Sequence, residues 1–101
     1  MQEIDWKNLP FGYADTDYNV RCYYRNGSWG KIEVSSSNNI NIHMAATCLH
    51  YGQEGFEGLK AYRRADGEVQ LFRPLENIRR MNRSAERMCL PTIPEDIALD
   101  C

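Results

Sequence analysis

Two Asx-Gly dipeptides, Asn26-Gly27 and Asp66-Gly67, most constrain the fold of this 101-residue chain. The β-prone runs on either side are 19–25 and 28–34 for the first dipeptide, and 56–64 and 68–73 for the second. The Asn-Gly pair suits a type I′ turn, in which both central residues need positive φ. Because tight turns join antiparallel strands and parallel strands need a long crossover, the sequence predicts antiparallel hairpins and no βαβ unit.

Three further segments complete the expected architecture. Residues 44–49 have helical composition, and Gly52 can end that helix in the left-handed conformation. A longer helix is predicted over 74–90, with Pro74 at its first position and Pro91 after its end. Its apolar stripe consists of Leu75, Ile78, Met81, Ala85 and Met88, and its opposite arc of Arg79, Arg80, Arg83 and Arg87. The predicted fold class is α+β, an antiparallel sheet of hairpins packed by helices.

The two ends of the chain are less regular. Residues 1–18 read as an extended lead-in, in which Trp6, Phe11 and Tyr13 are candidate anchors. Residues 94–101 begin like another helix, and no stop signal follows within the chain. We therefore expect the final helix to be cut within its first turns.

Charge is unevenly distributed along the chain. The net charge is −2, yet residues 63–87 contain seven arginines against four acidic residues, a local charge of +3. This basic segment lacks interleaved aromatic residues and the pI is acidic, so we expect no nucleic-acid partner. A compact anion such as a phosphate ester is the better-sized ligand. A solvated basic helix face is the alternative.

Cysteine and histidine usage argues against a metal site. The four cysteines include no C-x-x-C pair, and there are only two histidines. No apolar run approaches the ~20 residues that span a bilayer. The N-terminal residues have neither a basic region nor an apolar region of a secretory signal. We expect reduced thiols, no membrane association and a cytoplasmic location.

Two motifs carry a resemblance to a known enzyme family. The first is Leu49-His50-Tyr51-Gly52 followed by Phe56-Glu57-Gly58-Leu59-Lys60-Ala61-Tyr62. The second is Phe72-Arg73, Asn77, Arg80-Met81 and Ser84-Ala85 at their spacing along the predicted helix. Together they resemble the fold-type IV aminotransferases that use pyridoxal 5′-phosphate (PLP), above all the branched-chain amino-acid aminotransferases. Residues 11–18 resemble the opening of the long-chain branch of that family, so the resemblance covers nearly the whole chain.

The resemblance implies a place in a larger enzyme. Residues 1–101 are expected to be part of the N-terminal small domain of the class IV fold, without the large domain that carries PLP and its lysine. The parent would be a homodimer that transfers amino groups between leucine, isoleucine or valine and 2-oxoglutarate or glutamate. None of Lys7, Lys31 and Lys60 has the sequence context of the cofactor-bearing lysine. We therefore expect no catalytic residue in this chain and no activity from it alone.

The same resemblance assigns binding residues. Arg80 is expected to bind the cofactor phosphate, for which a guanidinium offers a matched fork of donors. The residues alone would not select it from the other arginines of the helix. Tyr51 and Phe56 are expected to line the pocket for the branched side chain, and Phe11 matches a pocket residue more loosely. Ordinary core packing is the alternative for Tyr51 and Phe56.

Two polar residues of the first motif are expected to have structural roles. Glu57 is predicted to form an ion pair with the arginine-rich helix, and His50 to be a hydrogen-bonded helix-end residue. Three rival functions stay open at this level. Two are D-amino-acid aminotransferase and aminodeoxychorismate lyase, which share the fold and its signals. The third is a non-enzymatic module that binds an anion or a partner.

Overall fold

The computed structural model describes residues 4, 5 and 7–101, which form two compact units, Met1–Asn41 and Ile42–Cys101. The elements in chain order are β1 (Asn19–Arg25), β2 (Ser28–Ser35), α1 (Thr47–Tyr51), β3 (Ala61–Arg63), β4 (Val69–Leu71), α2 (Pro74–Arg87) and α3 (Glu95–Asp100). Each strand pair is an antiparallel hairpin that forms its own two-stranded sheet. The predicted α+β class is confirmed, although the two hairpins do not form one sheet as expected.

The first unit contains the β1–β2 hairpin. Asn26 and Gly27 both have positive φ, 52° and 82°, as the predicted type I′ turn requires. The register shifts between Cys22 and Tyr24, where two residues of β2, Gly30 and Lys31, stand opposite the single residue Tyr23 of β1. Beyond this irregularity Tyr24 pairs with Trp29, and their rings meet edge to face with centroids 5.3 Å apart.

The lead-in to this hairpin is not anchored by its aromatic residues. Phe11 is 101% exposed and Tyr13 is 77% exposed, so the expectation that they anchor the segment is wrong. Both flank Gly12 in a stretch without regular secondary structure. Trp6, the third expected anchor, lies outside the described residues.

In the second unit, α1 is shorter at its start than the predicted helix. Residues 43–46 instead form a turn, in which the Ala46 amide donates to the His43 carbonyl at 2.9 Å. The Ala45 amide donates to His43 Nδ1 at 3.0 Å. The predicted end is confirmed, because Gly52 has φ 59° and caps the helix in the left-handed conformation.

The β3–β4 hairpin is also shorter than the sequence predicted. Its three-residue strands pair Ala61 with Leu71 and Arg63 with Val69. Residues 56–60, which were expected to extend the first strand, contain no strand. The Gly58 carbonyl instead accepts a hydrogen bond at 2.7 Å from the side chain of Asn77, which lies 19 residues later on the next helix. A helix side chain thus binds a backbone group that a ladder would use.

Helix α2 begins as predicted, with Pro74 in its first turn and Glu76 close behind it. It ends at Arg87, three residues earlier than expected. Cys89 has φ 56°, and the Leu90 amide donates to the Ala85 carbonyl at 2.8 Å. This is the hydrogen bond of a Schellman motif, so backbone geometry at Cys89 ends the helix before Pro91 is reached.

Helix α3 packs against α2. The Asn82 side chain donates to the Ile93 carbonyl and accepts from the Ile93 amide, both at 2.8 Å, just before α3 begins. Among the described residues, only Ile78 and Ala85 are buried hydrophobic residues, and both lie on α2. The core of the second unit is therefore the inner face of α2. No helix in the described part of the chain is long and apolar enough to cross a bilayer.

Candidate functional site

The candidate site is the segment 53–58, which has no regular secondary structure and is hydrogen-bonded to the residue that caps the end of α2 and to α2 itself. At its beginning, Gln53 Nε2 donates to the Met88 carbonyl at 2.8 Å. At its end, the Gly58 carbonyl accepts from Asn77 Nδ2 at 2.7 Å. From its beginning to its end, the segment 53–58 passes from the C-terminal end of α2 toward the N-terminal end. The segment therefore runs antiparallel to the helix. The two sequence motifs are thereby brought side by side.

The middle of the segment lies beside the side chain of Met81 on the helix. A Cβ atom at Gly55 would lie 3.5 Å from both Sδ and Cε of Met81, at ordinary van der Waals contact. A small side chain at position 55 would therefore pack on the thioether of Met81 without displacing it.

Glu57 is the polar centre of this contact. Its carboxylate accepts from Arg80 Nε at 2.7 Å, from Asn77 Nδ2 at 3.1 Å and from the Gly58 amide at 3.1 Å. Arg80 Nη2 also pairs with Glu57 Oε1, which makes the arginine–carboxylate contact bidentate. The Glu57 side chain is only 13% exposed. The predicted ion pair between Glu57 and the arginine-rich helix is confirmed.

These donors change the acid–base properties of the pair. The hydrogen bond from Arg80, and next that from Asn77, lower the pKa of Glu57 to about 2, against the opposing effect of desolvation. The same hydrogen bond from Arg80 to Glu57 raises the pKa of Arg80. Glu57 is therefore an ionised carboxylate at any pH near neutrality, and it is paired with Arg80.

Arg80 keeps a free edge. Its Nε and one terminal nitrogen face Glu57, and the side chain is 60% exposed. Over the described parts of the chain, Nη1 makes no hydrogen bond or ion pair. A guanidinium has five N–H donors, so the exposed edge can bind an anion while the other edge stays on Glu57. That this anion is a phosphate stays a prediction.

The other arginines of α2 have different surroundings. Arg79 pairs with Glu95 at 2.9 Å and more loosely with Glu76 at 3.5 Å, both on the exposed surface. Arg83 and Arg87 are exposed, and no ion pair joins them to another described residue. Arg80 is thus the arginine of α2 that the segment 53–58 holds in place. The motif position of Glu57 was the sequence signal that could have singled it out.

Two residues of the site were not identified from the sequence. Asn77 lies three residues before Arg80 on α2, so both side chains reach Glu57 from the same face. Its place in the second motif was the available signal. Gln53 carries no comparable signal, since its role depends on where the carbonyl of Met88 lies once α2 has ended.

The aromatic residues of the first motif are exposed. Tyr51 is 82% exposed and Phe56 is 81% exposed, so neither is buried in the interior that the described residues form. Tyr51 precedes the segment 53–58, and Phe56 lies within it. Phe11 belongs to the first unit and is fully exposed there. His50 is a hydrogen-bonded helix-end residue as predicted, with Nε2 2.6 Å from the Met44 carbonyl oxygen.

Metal-ligating residues do not gather in the part of the chain that the structure describes. In residues 4, 5 and 7–101, no group of three or more His, Cys, Asp or Glu side chains could hold a metal ion. The exposed groups of this part of the chain are the free edge of Arg80 and the rings of Tyr51 and Phe56.

No protein-family model matches the chain. Curated relatives match it over almost all of its length. The branched-chain-amino-acid aminotransferase of Helicobacter pylori is 46% identical over 99 residues, which are 98% of this chain and 29% of that enzyme. The enzyme of the same name from Haemophilus influenzae is 43% identical over 97 residues, 96% of this chain and 28% of the relative. Branched-chain-amino-acid transaminase 1 of Bacillus subtilis is 42% identical over 100 residues, with 98% and 28% covered.

The chain thus spans 28–29% of the length of these three relatives. Other relatives are named for the chloroplast in Humulus lupulus, the mitochondrion in Mus musculus and the cytosol in Saccharomyces cerevisiae. The resemblance indicated by the two motifs is confirmed by this agreement in name and coverage. The chain is homologous to a part of the branched-chain-amino-acid aminotransferases.

Proposed function

We propose that this chain is the N-terminal small-domain part of a PLP-dependent enzyme that transfers amino groups between leucine, isoleucine or valine and 2-oxoglutarate. The shared name of the relatives supports the branched-chain substrates. The observation that carries the proposal for the chain's own residues is the Glu57–Arg80 pair. It leaves one guanidinium edge exposed, and two aromatic side chains of the motif that contains Glu57 are exposed as well.

The donor set fits the phosphate of PLP. A phosphate ester is a dianion that takes several charge-assisted hydrogen bonds, and the exposed edge of Arg80 offers them. When bound, PLP acts as an electron sink for the substrate's reacting carbon. In the proposed enzyme Arg80 holds the phosphate end of the cofactor. The lysine that bears the cofactor is expected outside residues 1–101.

Tyr51 and Phe56 are proposed to bind the substrate side chain. Their rings are more than four-fifths exposed, so they have apolar area to offer to an isobutyl or sec-butyl group. Burying such a side chain is worth roughly 1.5–3 kcal/mol. Phe11, fully exposed in the first unit, is proposed as a further pocket residue. Aromatic walls give this binding energy at little cost in side-chain entropy.

The remaining parts of the proposal follow from the family. The enzyme is proposed to be a cytoplasmic homodimer, with glutamate and 2-oxoglutarate as the second substrate pair. Cys22, Cys48 and Cys89 are free thiols, which fits a reducing compartment. Because the relatives are named for three different compartments, fractionation of the source cells tests the proposed cytoplasmic location of this enzyme.

A chimera tests this proposal directly. Residues 1–101 replace the matching segment of the Helicobacter pylori enzyme, whose remaining residues are kept. We expect the chimera to bind PLP and to transfer amino groups from leucine, isoleucine and valine to 2-oxoglutarate. The chain by itself, treated with PLP and borohydride, should show no single stoichiometric adduct. A chimera that prefers D-alanine, or an adduct confined to Lys60, would contradict the proposal.

Matched arginine variants of the chimera test the phosphate site. We expect Arg80→Ala to weaken PLP binding roughly ten- to hundredfold, because it removes charge-assisted hydrogen bonds. Arg83→Ala removes the same side chain three residues away, where no ion pair to a described residue is present, and should change PLP binding little. Equal dissociation constants for the two variants would show that Arg80 is not the phosphate ligand.

A further inference from the structure

Glu57 has more hydrogen bonds than an ion pair needs. Four contacts from three residues converge on its carboxylate: two from Arg80, one from Asn77 and one from the Gly58 amide. The side chain is 13% exposed, whereas its partner Arg80 is 60% exposed. The carboxylate is therefore the fixed member of the pair, and the guanidinium is oriented by it.

The surrounding contacts make Glu57 rigid. Asn77 donates both to its carboxylate and to the Gly58 carbonyl, so one amide group joins α2 to the side chain and to the backbone beside it. Gly55 packs against Met81 two residues earlier. The position of the carboxylate is thus set by the way the segment 53–58 lies on the helix.

We propose that Glu57 is a positioning residue for anion binding: it holds the guanidinium of Arg80 so that its free edge faces the phosphate of the cofactor. This inference rests on the proposed function. An arginine side chain free in solvent loses rotamer freedom when it binds a ligand, and prior fixation reduces that loss. The expected gain in phosphate affinity from fixing one such side chain is roughly 3- to 10-fold.

An opposite effect of Glu57 is electrostatic. Its negative charge repels a bound phosphate, so removing it would strengthen binding if charge were its main influence. In an exposed site this repulsion is weakened by water and by salt, with a Debye length of about 10 Å at 0.1 M salt and 3 Å at 1 M. Orientation is not screened in this way, and we infer that it dominates.

Pyridoxamine 5′-phosphate and pyridoxamine separate a role at the phosphate from a general structural role, because they differ only in the phosphate group. Both are titrated into the cofactor-free chimera at low and at high salt. We expect Glu57→Gln to raise the dissociation constant of pyridoxamine 5′-phosphate about 3- to 10-fold. Pyridoxamine should change by less than about twofold, because it does not contact the Arg80 edge.

Two further variants show whether the effect passes through Arg80. With Arg80→Ala already present, adding Glu57→Gln should have no further effect, as expected for a residue that acts only through its partner. Glu57→Asp keeps the charge but moves the carboxylate back by one methylene. It should weaken pyridoxamine 5′-phosphate binding in the same direction as Glu57→Gln, since position and not charge is lost.

The matched control is Glu95→Gln. It removes the carboxylate that pairs with Arg79, the residue directly before Arg80 on α2. It should leave both dissociation constants unchanged. Far-UV circular dichroism of each variant verifies that the fold is retained. If Glu57→Gln and Glu57→Asp both lose the fold, Asn77→Ala, which removes one donor to the carboxylate, is titrated in their place and should weaken pyridoxamine 5′-phosphate binding selectively.

The outcomes distinguish a failure of the positioning role of Glu57 from a failure of the proposed function. Tighter or unchanged binding of pyridoxamine 5′-phosphate by Glu57→Gln overturns the positioning role, and so does an equal loss for pyridoxamine. If the chimera binds pyridoxamine 5′-phosphate and Arg80→Ala weakens it, these results refute Glu57 alone. If the unmutated chimera does not bind pyridoxamine 5′-phosphate, or Arg80→Ala has no effect, the proposed function itself fails.

Discussion

Asn82 should make one of the largest polar contributions to the stability of this chain. Its side-chain amide forms two hydrogen bonds with the backbone of Ile93, both 2.8 Å long and partly buried. Asn82→Ala removes both and leaves an amide and a carbonyl of the backbone without that partner. At about 0.5–1.5 kcal/mol for each bond, we expect a loss of about 1–3 kcal/mol.

Urea unfolding followed by far-UV circular dichroism measures this loss. For a slope of about 1–2 kcal/mol per molar urea, a loss of about 2 kcal/mol lowers the midpoint by roughly 1–2 M. Arg83→Ala is the matched control on the same helix, because alanine and arginine have similar helix propensity and Arg83 is exposed. Hydrogen exchange adds a local reading, since the Ile93 amide should lose protection in Asn82→Ala only.

Asn82→Asp tests the donor separately from the acceptor. Aspartate can still accept from the Ile93 amide, but as a carboxylate it cannot donate to the Ile93 carbonyl. We expect destabilisation at neutral pH that is partly relieved in acid, where the protonated side chain regains a donor. A midpoint for Asn82→Ala equal to that of Arg83→Ala, with unchanged protection of Ile93, would refute this account of the α2–α3 contact.

Three further predictions concern other parts of the structure. Because the pKa of Glu57 is lowered to about 2, its stabilising contribution should be complete above about pH 4.5 and be lost as the pH falls toward 2, so Glu57→Gln should flatten acid unfolding followed by circular dichroism in that range. Gly52→Ala should cost about 1 kcal/mol in urea unfolding because its φ is 59°, whereas Gly12→Ala, in open space without a positive φ, should cost much less. We expect the chain to self-associate through exposed apolar side chains such as Phe56, whose ring is 81% exposed, and Phe56→Ser should lower the mass measured by light scattering; an unchanged mass distribution would contradict this.

Local signals in the sequence predicted the elements whose geometry is local. The Asn26-Gly27 turn, the stop at Gly52 and the start of α2 at Pro74 each depend on the φ preference of one or two residues. They were correct for that reason. The predicted end of α2 was wrong because Cys89 takes a left-handed φ of 56°. A cysteine in the sequence does not predict this backbone conformation.

Long-range contacts limited the prediction of the site. Glu57 and Arg80 are 23 residues apart, and the ion pair between this glutamate and the arginine-rich helix was expected from their motifs. The two further bonds that fix the segment 53–58, from Gln53 and Asn77, require the helix and the segment to be in place first. Strand propensity over 56–60 was overridden by these contacts, since β propensity depends strongly on its surroundings.

The antiparallel course of the segment 53–58 along α2 has a consequence for changes in chain length. Its beginning is bonded to the end of the helix and its end to a residue in the helix's second turn, so its length must match a fixed number of helical turns. Inserting or deleting one residue between Gly52 and Gly58 would misalign every later contact. The turn at Asp66-Gly67 carries no such constraint, and natural length variation in this chain should therefore concentrate there.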